Sequence, residues 1–218
     1  MRVTLIHNEE AGEDEHPSID ELLALIRGAG HGVRYQSSGG DAWQRALEED
    51  PGDLVAVVGG DGTVGTVARS LVGGRVPIAV LPLGTANNIA TTLGLIDTPI
   101  EKLIAGWSAA KRIEFDAGLV RGPWGTTHFI EGIGVGVLAL AISRPDPRED
   151  AALAHLADRH GSLPTSLRWL REQLPSYPAK ELQVTLDGQD LSGDYIMLQV
   201  MNIQHIGPSL HQIGRAHV

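Results

Sequence analysis

The sequence predicts an α/β fold, a doubly wound parallel sheet followed by a second, mostly β domain, and three observations carry that expectation. Short β-branched runs alternate with helical segments in a β-α-β-α-β-α-β order up to about residue 110, an order that implies right-handed crossovers. Leu54 to Val58 is a continuous apolar run, the pattern of a strand buried on both faces. Beyond Lys111 the texture shifts to strand-like stretches with no regular helical alternation, so residues 1–110 and 111–212 are read as two domains.

Arg2 to His7 is a β-branched run that reads as the first strand, ending at Asn8. A polar, acidic loop runs from Asn8 to His16. Ser18 opens a helix as a capping box, with Glu21 three residues on to answer it. Ile19, Leu22, Leu23 and Ile26 form the apolar stripe of that helix, and Gly28 and Gly30 stop it. Gly32 to Gln36 reads as a strand, Asp41 to Glu49 as a helix, and Leu54 to Val58 as the buried strand. That strand runs into Gly59-Gly60-Asp61-Gly62-Thr63, with a helix expected from about Val64 to Val72. A strand at Ile78 to Leu81 follows, then Gly84-Thr85-Ala86-Asn87-Asn88 opening another helix. In the second domain, Arg112 to Arg121 and His128 to Ala139 read as strands of a hairpin around Gly122-Pro123-Trp124-Gly125. A helical stretch from about Glu149 to Leu174 precedes strands at Lys180 to Leu186 and Asp194 to Asn202.

Composition narrows the function. Across 218 residues, 17 basic side chains face 27 acidic ones, a net charge of −10, which argues against a nucleic-acid binder and against strong attraction to an anionic membrane. The absence of cysteine removes disulfides, zinc-thiolate sites and cysteine nucleophiles. Arg2, Thr4 and His7 interrupt the N-terminal apolar stretch, which argues against a signal peptide, and no run approaches the roughly 18 apolar residues of a membrane span. A cytoplasmic location is expected. Nine histidines raise a metal site, but His155 and His160 are five apart and do not share a helix face. His7 either closes the first strand or touches a ligand, and Trp107, Trp124 and Trp169 read as packing residues. No G-x-S-x-G elbow supports serine hydrolase chemistry.

Glycine is the outlier, at 27 residues against a usual share of roughly 7%. Both glycine loops fall where strand carboxyl ends meet helix N-termini, the place where open α/β sheets bind ligands. Gly59, Gly60 and Gly62 remove side chains so that phosphate can approach backbone amides, while Thr63 and Thr85 offer hydroxyl donors. Asp61 beside phosphates implies a cation or a transferable proton. Gly60 to Gly65 also matches the G-x-G-x-x-G dinucleotide fingerprint, but Thr63 to Ile96 contains no acidic residue to hold a ribose. Hydride transfer is therefore disfavoured, and the lysine-containing phosphate loop is absent.

Gly59-Gly60-Asp61-Gly62-Thr63 together with Leu81-Pro82-Leu83-Gly84-Thr85-Ala86-Asn87-Asn88 resembles the catalytic domain of the diacylglycerol kinase family, which includes bacterial lipid kinases and sphingosine kinases and is more distantly related to NAD kinases. Asn8 with Ala11-Gly12 is similar to the family's first nucleotide loop, with Glu9 where proline is usual. Ser37 stands where the family often has a nucleotide-contacting Thr, Phe115-Asp116-Ala117-Gly118 resembles the entry to the second domain, and Asn202 with Gly207-Pro208 a later motif there. The resemblance implies a Rossmann-like nucleotide-binding domain, a β-sandwich-like second domain, and ATP-dependent phosphorylation of a lipid hydroxyl such as that of diacylglycerol. It implies nucleotide contacts from Asn8, Gly12, Ser37, Gly59, Gly60, Asp61, Gly62, Thr63, Gly84, Thr85 and Asn87. Asp61 and Asp116 would organise Mg²⁺ directly or through water, and Asp61→Ala would abolish transfer with the fold intact. Transient membrane-surface contact and a homodimer are compatible with this reading, and no nucleic-acid partner is expected. NAD phosphorylation and a non-catalytic nucleotide-binding regulator are the alternatives.

Departures from the family pattern bear on the site. Gly65-Thr66 stands where Asn-Glu is usual, and Asn87-Asn88 where Asn-Asp is usual, which removes a carboxylate from the implied magnesium network. The family's general base for the acceptor lies in a late Asp-Gly segment that this chain lacks, so the chain is expected to be C-terminally truncated and inactive as it stands. Ile213 to Val218 back-translates to a common sequencing-adapter string, so residues 213–218 are expected to be a non-native tail.

Overall fold

The structure is a computed structural model that describes residues 1–11, 17–142, 170–206 and 210–211. Its centre is a four-stranded, all-parallel sheet of β1 (Arg2–His7), β2 (Gly32–Ser37), β3 (Leu54–Gly59) and β4 (Ile78–Pro82), in the order β2-β1-β3-β4. The registers Ile6 to Gln36, Ile6 to Val57 and Val57 to Val80 align the carboxyl ends of the strands. The chain crosses from β2 over β1 to β3, so the point where strand order reverses lies between β1 and β3.

Every residue of β3 is buried, as its unbroken apolar run requires. On one face Val3, Leu5, Leu54, Ala56, Val58 and Leu81 pack with Leu22 and Ile26 of α1 (Ile19–Gly28) and Ile104 of α5 (Ile100–Gly106). Strand alternation turns Thr4, Ile6, Val55, Val57 and Val80 to the other face, and all five are buried. Buried Trp43, Ala46 and Leu47 of α2 (Ala42–Glu49) and Val64 and Val67 of α3 (Asp61–Ser70) supply the helical cover for that face. There Arg34 donates to Thr4 Oγ1 at 3.3 Å and to the Ala46 carbonyl at 2.8 Å, which satisfies a buried hydroxyl. The doubly wound reading holds.

The expected capping box is present. Ser18 Oγ accepts from the Glu21 amide at 3.3 Å, and the Ser18 amide donates to Glu21 Oε2 at 2.8 Å. These bonds hold the exposed Glu21 carboxyl below its usual range. Helix α3 begins at Asp61, three residues before the expected start, because Gly60 serves as its N-cap. Helix α4 (Asn88–Thr92) is short and is followed by Gly94 at φ +70°. Helix α5 is an element the sequence reading did not single out. Trp107 beyond it stacks on His31 at 5.9 Å, a packing role as expected.

The described chain divides into two compact units, Met1–Glu131 with the stretch from Asn202, and Gly132–Met201. The composition change near Lys111 precedes this division. The expected strand Arg112 to Arg121 shrinks to β5 (Gly118–Gly122), since residues 111–117 have no described neighbouring strand to bond. β5 pairs antiparallel with β6 (Gly125–Phe129), and this hairpin belongs to the first unit, where β6 meets α3. Trp124 at its tip is 69% exposed and lies over Gly122, so its expected packing role is not seen. His128 to Ala139 is likewise not one strand. It divides into β6, β7 (Gly132–Gly136) and α6 (Val137–Ile142), because Gly136 at φ +99° ends β7.

The second unit consists of antiparallel pairs. β7 pairs with β12 (Met197–Met201), and β8 (Lys180–Leu182) pairs with β11 (Gly193–Tyr195). β9 (Thr185–Leu186) and β10 (Gln189–Asp190) form a hairpin whose Asp187-Gly188 turn has φ of +52° and +85°, the chemistry of a two-residue loop. In the first unit, β13 (His205–Ile206) pairs with β14 (Leu210–His211) beside α4. Most of the expected helix Glu149 to Leu174, with His155, His160 and Trp169, lies outside the described residues, as do Gly12, Gly207, Pro208 and residues 213–218.

Ser18→Ala is expected to lower unfolding free energy by about 1 kcal/mol, read by denaturant or thermal unfolding; unchanged stability would show that the box contributes nothing.

Candidate functional site

The carboxyl ends of β1, β3 and β4 bring Asn8, Gly59 to Thr63 and Gly84 together in the first unit. Asn8 follows β1, its amide donating to the Val58 carbonyl at 3.0 Å, and its side chain donates to Thr63 Oγ1 at 3.2 Å. A Cβ on Gly59 would lie 2.9 Å from that same Thr63 oxygen, so Asn8, Gly59 and Thr63 form one contact. Ser37 ends β2 at the neighbouring edge. Tyr35 donates to Glu9 Oε1 at 2.8 Å, and Ser37 bonds both partners. Burial, then Glu9, pushes the Tyr35 phenol up to about 12, while Tyr35 and Ser37 hold Glu9 below its usual range.

The glycines divide by cause. A Cβ on Gly84 would sit 2.3 Å from Gly60 Cα, and one on Gly60 would sit 3.1 Å from Gly84 Cα, so these two are glycine because the loops touch backbone to backbone. Leu83 N donates to the Gly59 carbonyl at 3.2 Å and ties the same two loops. A Cβ on Gly62, by contrast, would meet nothing within 4 Å. Gly62 is exposed in the first turn of α3, where the earliest amides have no intrahelical acceptor; the first such bond runs from Val64 N to the Gly60 carbonyl.

Asn87 adopts a left-handed conformation at φ +50° and clamps Gly84 on both sides. Its Oδ1 accepts from Gly84 N at 2.9 Å and its Nδ2 donates to Gly84 O at 2.6 Å. That occupies the side chain in shaping the loop. Thr85 between them is exposed.

Asp61 has a role the sequence did not reveal. Its Oδ2 accepts from Asn88 N at 2.8 Å and its Oδ1 from Ile89 N at 2.9 Å. Its carboxylate therefore caps α4 from a different loop, while Asp61 itself stands in the first turn of α3. Negative charge at both helix starts is favourable. The amides that open α4 are consequently committed to a protein carboxylate.

Glu131 was not selected from sequence. It is half-buried, and its Oε2 accepts from Asn88 Nδ2 at 3.4 Å. Burial first, and the Asp61 charge second, push its carboxyl above the usual carboxylate range, while Asn88 and Arg69 act in the opposite sense. The visible signal is a lone acid inside the apolar stretch from Phe129 to Ile133. Asp116 is placed differently. Its carboxylate is exposed and shares no hydrogen bond with Asp61, and it is the Asp116 carbonyl that Asn202 Nδ2 holds at 2.6 Å. Asn202 also donates to the Ile130 carbonyl at 2.8 Å. Among the described residues no three His, Cys, Asp or Glu side chains gather as a metal-holding group. No described helix is long and apolar enough to cross a membrane.

Residues 2–120 match the model of the diacylglycerol kinase catalytic domain. A probable lipid kinase YegS-like protein of Pseudomonas aeruginosa (strain UCBPP-PA14) is 34% identical over 142 residues, 62% of this chain and 45% of that protein. A diacylglycerol kinase of Bacillus subtilis (strain 168) is 27% identical over 214 residues, 94% of this chain and 66% of that protein. A diacylglycerol kinase structure from Bacillus anthracis str. Sterne superposes with a TM-score of 0.61 at 22% identity, covering 94% of this chain and 65% of that one. The matched stretch spans less than half the length of the YegS-like relatives.

Because Asp61 caps α4, Asp61→Ala is expected to cost about 1–2 kcal/mol of stability, which replaces the expectation of an untouched fold. Gly84→Ala is expected to cost about 2 kcal/mol or more by driving the loops apart. Chemical denaturation of both variants checks this, and wild-type midpoints would refute the interlocked loops.

Proposed function

The chain belongs to the diacylglycerol kinase catalytic-domain family, and from that premise we propose that it binds ATP at the glycine loops for transfer of the γ-phosphoryl group to a lipid hydroxyl such as that of diacylglycerol. The observation that supports this most is the gathering of Asn8, Gly59 to Thr63 and Gly84 at the point where strand order reverses. The N-terminal amides of α3 and the open space over Gly62 suit phosphate oxygens. Asn8 fixes the Thr63 hydroxyl, and Asn87 fixes the Gly84 peptide, so the loops are ordered before a nucleotide arrives. Ser37 at the end of β2 stands at the edge of the same strand ends.

Phosphoryl transfer relies on positioning and on neutralising charge, which magnesium supplies when bound. Asp61 fits that ion. Each of its oxygens accepts one amide and keeps a further lone pair, and carboxylates with phosphate oxygens and water are the usual magnesium donors. Asp116 belongs to this reading as a more distant carboxylate acting through water. The neutral Asn88 and Thr66 favour a second reading, a nucleotide-binding regulator without catalysis.

Titration of the chain with ATP by calorimetry is the first test, and no binding would overturn the proposal. Gly62→Ala is expected to weaken ATP at least about tenfold while unfolding stability holds or rises by up to about 1 kcal/mol, as alanine replaces glycine in a helix. With the full-length protein, radiolabelled ATP offered with diacylglycerol, sphingosine or NAD is expected to label diacylglycerol. Label on NAD alone would overturn the lipid acceptor, and binding without any transfer would favour the regulator.

A further inference from the structure

Asn88 does two things at once. Its backbone N–H donates to Asp61 and its side-chain N–H donates to Glu131, so one buried residue holds a carboxylate on either side. Among the described residues no basic side chain bonds either carboxylate. Arg69, whose charge acts on Glu131, directs a hydrogen bond to Thr66 Oγ1 at 2.9 Å. Two acids at the start of one short helix repel each other unless a positive charge joins them. A neutral amide at position 88 permits that approach. A carboxylate there would crowd a third negative charge onto Asp61 and Glu131.

We propose that Glu131 supplies, from the end of the β5–β6 region, the second carboxylate toward the divalent cation of the phosphate site, the charge that Asn88 does not carry. This inference rests on the phosphotransfer reading and deepens it. The backbone of Glu131 has a separate task, since its carbonyl accepts from Asn202 N at 2.7 Å and from Ile203 N at 3.3 Å. Those bonds survive any change of its side chain. In this chain the carboxylate lies on the Glu131 side of the Asn88–Glu131 contact, and the neutral amide on the Asn88 side.

The test uses the 218-residue chain with Mn²⁺ as spin probe and ADP as nucleotide. Glu131→Gln keeps size and the acceptor for Asn88 but removes the charge. It is expected to weaken Mn²⁺, followed by electron paramagnetic resonance on the ADP-loaded chain, at least about tenfold. ADP affinity in EDTA should stay at the wild-type value, and the unfolding midpoint should hold or rise as the charge beside Asp61 is removed. The exchange N88D/E131N, which returns the charge to the other side, is expected to recover Mn²⁺ affinity that E131N alone loses. Wild-type Mn²⁺ affinity in Glu131→Gln, or no recovery in the exchange, overturns the assignment. A wild-type chain that binds no ADP overturns the phosphotransfer reading itself, and this inference with it.

Discussion

The carboxylate of Asp61 is the joint on which the site depends. Placed in the first turn of α3, it accepts the two amides that open α4, reaching Asn88 at a separation of 27 positions along the chain. One side chain thereby fixes the loop after β3 to the loop after β4. The backbone contact of Gly60 with Gly84 closes the same junction from the other side, and neither glycine can gain a Cβ without moving it. Charge-assisted hydrogen bonds of this kind are among the stronger polar interactions. Both helix N-termini also favour a negative group where Asp61 sits, so the local fold and the local field reinforce each other.

This arrangement changes what the glycine-rich signature means. Four glycines in two loops read from sequence as a cradle for phosphate, each absent side chain leaving room for a ligand. In three dimensions Gly60 and Gly84 make room for each other, and Gly59 makes room for Thr63. Gly62 alone of these opens onto unoccupied space. The motif is thus as much a rule for joining two loops as a rule for binding, and a substitution in it can fail for either reason.

What was legible in the sequence was local or periodic. The Ser18–Glu21 box links residues three apart, and the burial of β3 follows from an unbroken apolar run. What escaped depends on long-range contact. The partner of Asp61 is set by the approach of two loops, and Glu131 reaches Asn88 over 43 residues. Alternation along Gly118 to Phe129 marks a hairpin but says nothing of which compact unit the hairpin joins. Helix α5 was passed over since it follows a proline, and its buried face, Ile104, is defined only by the sheet and α1. Trp124 shows the same limit in reverse, since a large aromatic side chain suggests a core and this one lies exposed over a glycine at a hairpin tip.

Two carboxylates, Asp61 and Glu131, approach the start of α4 from either side of Asn88. Asp61 spends both oxygens on amides, so its charge is held by dipoles rather than by a cationic side chain. The Glu131 carboxylate has no such shelter, for among the described residues it accepts only from the side-chain amide of Asn88, and burial together with Asp61 works against its ionised form. An acid kept in that position at an electrostatic cost, with a neutral residue arranged to tolerate it, has a straightforward physical reason if positive charge arrives with the ligand. The same reasoning explains why the two acids are separated by an amide rather than by an arginine. A permanent cation would neutralise the pair in the absence of nucleotide and leave nothing for a divalent ion to gain by binding. On the proposed reading, with Asn88 between them, the balance of charge is completed only when nucleotide and its ion bind.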